Sequence, residues 1–456
     1  MKVSEQHFVN ARLPLSGSTG YYKVIVKNGV YDSIDLQSGK VESPAYRAIP
    51  RDAFLAESVI GEGPKIWDLN GRILLPGFID AHMHLDKAFS LPRVPNQSGT
   101  LLEALRNFGV AYGEIGKEDI KMRMRKAALR ALSYGTTSLR THLDFNVRKD
   151  RDVCFRTIYA ALEIKEELKD WIDIQLFPLT MHESLGPKEL EMVEEALILG
   201  VTGIGAIPHL SLTPEQDVDR IFELAIKYDC PVDFHTDEDD DPSVQTVALI
   251  ADKTEQYGYQ GKVVVGHLCS LAGMDHDIAA SMIAKMKNAG LKAVTLPAAN
   301  MYLQGRGDRG IVRRGITRVR EIQEAGVPLA TASDNIHDPF HPFGRGDMIQ
   351  IGLLTGYAAH LGSPADQLQI LRMMTEIPAS VIGLDRYGLS RGNQADFVVL
   401  DACGVEEIFT FLPENRATFK RGRLIHASRL DHTWGVPIGG GEDEVFRNPC
   451  CCRFTQ

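Results

Sequence analysis

Between residues 73 and 332 the chain alternates eight short apolar segments with segments of helical period. The apolar segments cover 73–79, 137–142, 171–179, 201–210, 232–235, 263–267, 291–296 and 327–332. Helical periodicity fills the gaps at 101–113, 117–135, 152–168, 187–199, 214–228, 243–257, 275–289 and 317–325. Strands buried on both faces of a parallel sheet read as such apolar runs. Eight strand–helix units are the number that closes a (β/α)8 barrel. The sequence therefore predicts an α/β fold, a (β/α)8 TIM-type barrel over 72–388, finished by helices at 348–361 and 365–383. Residues 1–71 hold short alternating stretches between turn residues and predict antiparallel strands. Residues 389–430 look alike, with strands at 395–400 and 417–425. The two ends predict one small β-sandwich, which the chain leaves to build the barrel and then rejoins. Residues 431–456 are expected to be a tail.

Composition narrows the class. Hydrophobic residues make up 44% of the 456 and charged residues 24%, which suits a globular chain with a large core. The net charge of −10 argues against a nucleic-acid binder. No apolar run reaches the length of about 18 residues that a membrane span needs. The N-terminus lacks the apolar core of a secretory signal. Seven cysteines without framework spacing read as reduced thiols in a cytoplasmic protein. Cys450–Cys451–Cys452 is read as part of the exposed tail, with metal capture or acylation as the alternatives.

In a barrel of this kind the chemistry sits at the C-terminal ends of the strands. Strand one runs into His82 and His84, strand two into His142 and Asp144, and strand four into His209. Strand five reaches His235, followed by Asp237 and Glu238; strand six reaches His267 and strand eight Asp334. Beyond strand seven stand Asn300 and Gln304. His82 and His84 are two apart, so both project from one side of a strand. Paired neutral imidazoles suit a divalent metal. One such histidine would read as a satisfied core residue; two, after an apolar strand and Pro76–Gly77, favour a metal, and His235 lines up with them. Asp334 could cap a helix, but an Asp ending the last strand beside a metal fits a ligand better. Glu238 lies in an acidic run, 237–241, of the kind that usually forms a solvated loop; three residues past His235 it can reach a bound substrate. His267 is either a ligand or a base. His142 and His209 shape the pocket, while His182, His337 and His341 lie in loops that could face its mouth.

These residues, in this order, resemble the amidohydrolase superfamily, and within it the cytosine deaminase-like branch. The matching runs are PGFIDAHMHLDKAF, NQSGTLLEAL, LRTHLD, GAIPHL, DFHTDE, VVVGHL, LQGR, RRGITRVREI and ASDN, spanning 75 to 345. GNQADFVVLD is similar to the return strand of that family's composite sandwich. The resemblance implies one divalent ion, Zn2+ or Fe2+, held by His82, His84, His235 and Asp334. Strand four ends in IPHL, without the bridging lysine of two-metal members. The resemblance also implies that Glu238, His267 and Asp334 are catalytic: His267 orients or helps deprotonate the water, and Glu238 carries a proton to a ring nitrogen. Met181, His182, His142, Gln304, Asn335 and Phe340 are the substrate-binding residues expected.

The substrate-reading positions depart from cytosine deaminase. The glutamine of that family is missing from 176–182, its second aspartate is Asn335, and its tryptophan is Phe340. A site built to hydrogen-bond one heterocycle rejects those that mismatch it, so cytosine itself is not the expected substrate. The run from Ala332 to Gln350 resembles the branch that removes alkylamino groups from s-triazines. The expectation is a metal-dependent hydrolytic deaminase of a cytosine-like pyrimidine, a pterin or a triazine, releasing ammonia. The alternative is hydrolysis of a cyclic amide or removal of an alkylamine; a non-catalytic scaffold ranks last. The expected partner is a small heterocycle, without nucleic acid or membrane, and assembly into a homo-oligomer stays open.

Overall fold

The computed structural model of the protein describes residues 5–41, 56–59, 64–180 and 186–430. Its centre is a sheet of eight parallel strands, lying side by side in chain order. The first four are Phe78–Met83, Thr136–Phe145, Asp173–Thr180 and Ile204–Ala206. The others are Val232–Thr236, Val263–His267, Lys292–Thr295 and Leu329–Thr331. A parallel bridge between Met83 and Asp334 joins the eighth strand's end to the first. There the Asp334 N–H donates to the His82 carbonyl at 2.9 Å. The ring thus closes at two of the predicted ligand positions.

The expected opening strand is divided. Ile73–Pro76 pairs antiparallel with Phe397–Leu400, outside the barrel, and Phe78–Met83 alone enters it. Gly77 makes the change of sheet possible, since a Cβ there would lie 2.3 Å from the Thr137 side chain. The fourth strand is shorter than expected. Pro208 has no N–H for the ladder, and Pro208–Leu210 forms a 3-10 turn instead.

Helices cover the sheet as their periodicity predicts. Pro214–Tyr228 buries Val218, Ile221, Phe222 and Ala225 along one stripe. The helix expected over 365–383 is two helices, Pro364–Met373 and Glu376–Ile382. In one continuous helix Pro378 could not bond to the Met374 carbonyl and its ring would clash there. Restarted at Glu376, the helix places Pro378 in its first turn, where no N–H is needed. Pro297–Leu303 and Val405–Phe411 are short helices that the periodicity did not indicate.

The two chain ends form the expected sandwich. One sheet has the order Val30–Leu36, Tyr22–Lys27, Glu5–Ala11, Lys65–Asp68, Ala56–Val59. It is not antiparallel throughout: Glu5–Ala11 and Lys65–Asp68 run parallel. The other sheet is Arg423–Ala427, Arg416–Lys420, Phe397–Leu400, Ile73–Pro76. Between them Phe8 meets Phe397 and Phe419 edge-on at 4.9 and 5.2 Å, and Trp67 meets Phe419 at 5.5 Å. Buried charges tie sandwich to barrel. Lys420 Nζ reaches Asp396 and Asp173 at 2.6 Å each. Arg416 forks onto Asp347, the cap of helix Met348–Ala358, at 2.7 and 3.0 Å. The tail, with Cys450–Cys451–Cys452, lies outside the described residues. Among the described residues no helix is long and apolar enough to cross a membrane.

Candidate active site and metal centre

The strand ends deliver four donors to one point. His235 Nε2 lies 3.2 Å from both His82 Nε2 and His84 Nε2. Asp334 Oδ1 lies 3.3 Å from His84 Nε2 and 3.7 Å from His82 Nε2. All four residues are buried. His84 is oriented from behind, its Nδ1 facing the His142 carbonyl at 3.2 Å. Asp334 sits at φ +60° and His267 at φ +67°, left-handed conformations that non-glycine residues seldom adopt. Such strain gathers at functional sites. Asp80 supports the turn beside Asp334 by accepting from the Ser333 N–H at 3.1 Å and from its hydroxyl.

This donor set fits a cation. Burial, before any neighbouring charge, holds His82, His84 and His235 well below the usual imidazole pKa, so each keeps a lone pair. Asp334 Oδ1 is buried with no hydrogen-bond partner in the protein. Three imidazole nitrogens and one carboxylate oxygen can hold a divalent metal. His82, His84 and Asp334 offer ligand atoms within 4.8 Å of one another, and so do His82, His142 and His235.

Beside the donors stands a second group. Glu238 Oε1 is 3.4 Å from His267 Nδ1, and Asn300 Nδ2 lies 3.3 Å from that oxygen and 3.0 Å from the same nitrogen. His267 Nε2 is buried and no protein group bonds to it. Burial, and then the charge of Asp334, push the Glu238 carboxyl well above the ordinary carboxylate range. Gln304 Nε2 touches the Glu238 carbonyl at 3.4 Å. The acidic run is therefore not simply a solvated loop: Asp237 accepts from the N–H groups of Thr246 and Val247, and Asp240 from that of Gly305.

The remaining predicted residues spread out. His142 stands beside the donors, its ring 4.1 Å from that of His82 and 4.7 Å from that of His235. Asn335 spends its amide on Asp338 at 2.7 Å, fixing the loop after strand eight. His341 Nδ1 faces the Asn335 carbonyl in that loop, and His337 Nδ1 faces that of Pro342. Burial brings His209 down to about 4. Met181 and His182 lie outside the described residues.

Two residues were given no role from the sequence. Asn300 is one; its place after strand seven was the available signal. Lys87 is the other. Its Nζ is 2.7 Å from Asp144 Oδ1, 3.4 Å from His84 Nδ1 and 4.9 Å from the centre of the Phe340 ring. Burial alone would lower its pKa, but Asp144 and Asp86 more than offset that, so it stays charged. Its signal was a position three residues past His84 in a run that is otherwise apolar or acidic.

A closed barrel whose strand ends gather imidazoles, a carboxylate and a second, largely buried carboxyl defines a hydrolase competent to bind a metal. The chain belongs to the amidohydrolase family, whose model matches residues 109–426, and it hydrolyses carbon–nitrogen bonds. It is 32% identical to a pterin deaminase of Rhizobium rhizogenes over 80% of this chain and 83% of the relative. It is 30% identical to an N-isopropylammelide isopropyl amidohydrolase of Pseudomonas sp. strain ADP, over 78% of this chain and 87% of that one. The crystal structure of 5-methylcytosine deaminase from Klebsiella pneumoniae with 5-fluorocytosine superposes with a TM-score of 0.81. That match has 26% identity and covers 94% of this chain and 99% of the other.

Proposed function

We propose that the protein deaminates an aminated planar nitrogen heterocycle by hydrolysis, with the pterin class first among the candidates. The observation that carries this is Glu238, whose carboxyl lies 3.4 Å from His267 Nδ1 beside the donor cluster and is pushed above the ordinary carboxylate range by burial and by Asp334. His82, His84, His235 and Asp334 are the residues that would hold one Zn2+ or Fe2+. When bound, such an ion polarises a water and lowers its pKa toward about 7.

The chain's own groups divide the proton work. His267 Nε2 and Asp334 accept the proton of the attacking water. Glu238 gives its proton to the ring nitrogen next to the carbon under attack, removing negative charge as the tetrahedral centre forms. The proton taken from the water then passes to the exocyclic nitrogen, the carbon–nitrogen bond breaks to release ammonia, and the remaining O–H proton returns to Glu238 as the carbonyl forms. Water and the amino heterocycle thus become an oxo heterocycle and ammonia. Metal-site deaminases with a non-ligand Glu share this division of roles. Lys87 and Phe340 border the same space: the ring offers a flat apolar face, and the ammonium a charge-assisted donor for a ring oxygen. The relative named pterin deaminase supports a fused, oxygen-bearing ring.

A second reading, removal of an alkylamine, is supported by the relative named N-isopropylammelide isopropyl amidohydrolase. One assay separates the two. The metal-replete protein is offered aminated pterins, pyrimidines, purines and N-alkylated triazines, and the released ammonia and alkylamine are quantified. Ammonia from a pterin is expected. Alkylamine release alone would replace this reading with the second.

A further inference from the structure

The barrel interior stays polar beneath the donor cluster. Arg140 lies two residues before His142 and Asp233 two before His235, so both stand one layer below the imidazoles. Arg140 is fully clamped. Its Nη1 donates to Asp233 Oδ2 at 2.7 Å and its Nε to Gln175 Oε1 at 3.0 Å. Its guanidinium stacks 4.2 Å from the Phe177 ring centre. Gln175 is held in turn, donating to the Ile382 carbonyl of the helix Glu376–Ile382 at 2.8 Å.

Asp233 Oδ2 faces His142 Nε2 at 3.7 Å, and its Oδ1 has no hydrogen-bond partner in the protein. His142 and Asp233 are fully buried, and neither nitrogen of His142 has a hydrogen-bond partner. The His142 ring lies against both His82 and His235. Neither His82 Nδ1 nor His235 Nδ1 has a partner of its own. Ligating histidines elsewhere are aimed by a carboxylate or carbonyl on the second nitrogen. Here that aid is given to His84 alone, through the His142 carbonyl.

We propose that Arg140, Asp233 and His142 form a positioning stack that sets the geometry and strength with which His82 and His235 hold the cation. The clamped guanidinium fixes the carboxylate, the carboxylate fixes the tilt of the His142 ring, and that ring is the wall against which both ligand rings rest. This rests on the metal-centre reading given above.

The test uses His142→Phe, which keeps a ring but no nitrogen, and Asp233→Asn. Zn2+ affinity is measured by chelator competition, and the visible bands of the Co2+-substituted protein are recorded. Each variant is expected to bind Zn2+ about 10- to 100-fold more weakly and to shift the Co2+ bands. A residue that only fills space would move the melting temperature of the metal-free protein and neither of these. Unchanged affinity and bands in His142→Phe overturn the stack, and that variant decides if Asp233→Asn does not fold. His82→Ala is run alongside. Loss of tight binding there, with none in His142→Phe, rejects the stack alone; undiminished binding in His82→Ala rejects the metal centre itself.

Discussion

Glu238 shows how much one side chain's surroundings decide. Its carboxyl is buried beside Asp334, and both facts raise its pKa. A carboxyl with a raised pKa holds its proton to a higher pH and loses it as pH rises through that value. Turnover that needs the acid form therefore falls on the alkaline side, and the kcat profile should show that limb. Glu238→Gln should still bind the cation and substrate while kcat drops by about 10²- to 10⁴-fold, without the limb; full turnover would remove Glu238 from the mechanism. Lys87 makes a separate prediction. Lys87→Met removes a charged donor of about 1.5–3 kcal/mol and should lower kcat/KM roughly 10- to 100-fold on an oxo-heterocycle. It also leaves Asp144 without its ammonium partner, so the melting temperature should fall with it. Undiminished kcat/KM would place Lys87 outside the substrate's reach. His82, His84, His235 and Asp334 could be picked out as candidates because each lies at the end of an apolar run, whereas Lys87 is brought beside His84 and Asp144 only by the fold of the loop after the first strand.

At the scale of elements, joints between strands and helices are stiffened by buried charges. Arg416, on a sandwich strand, forks onto Asp347 and also donates to the Pro413 and Tyr134 carbonyls at 2.6 and 3.0 Å. Both members of the pair are buried. Arg416→Ala leaves buried Asp347 with only the exposed Arg345, 3.3 Å away, so it should cost about 3 kcal/mol, the low end for a broken buried pair, read as a lower denaturation midpoint in urea. An unchanged midpoint would show that the sandwich is held on by its apolar faces alone. The alternation of elements could be read from periodicity because it is local. Their ends could not: Gly77 hands the chain from one sheet to another because Thr137 crowds it, and Pro378 divides a helix whose apolar pattern runs on.

For the whole molecule, a cation held by His82, His84, His235 and Asp334 would link strands one, five and eight beside the seam where the barrel closes. A ligand that binds only the folded state stabilises it, by about 2.7 kcal/mol at a hundred times Kd. Stripping the protein with a chelator should lower the melting temperature and abolish hydrolysis. Adding back Zn2+ or Fe2+ in separate titrations should restore both and rank the two metals. A chelated protein that melts unchanged would exclude a structural share for the ion. The sequence by itself determined the barrel and the sandwich made by its two ends, and marked four candidate donors at the strand ends, because apolar period and strand-end polarity are properties of neighbouring residues. Only the tertiary structure decided that His142 faces Asp233, which Arg140 clamps, that Lys87 meets Asp144 and His84, and that Asn300 meets Glu238 and His267. Those contacts join residues from different strands and loops, and no spacing along the chain encodes the distance between them.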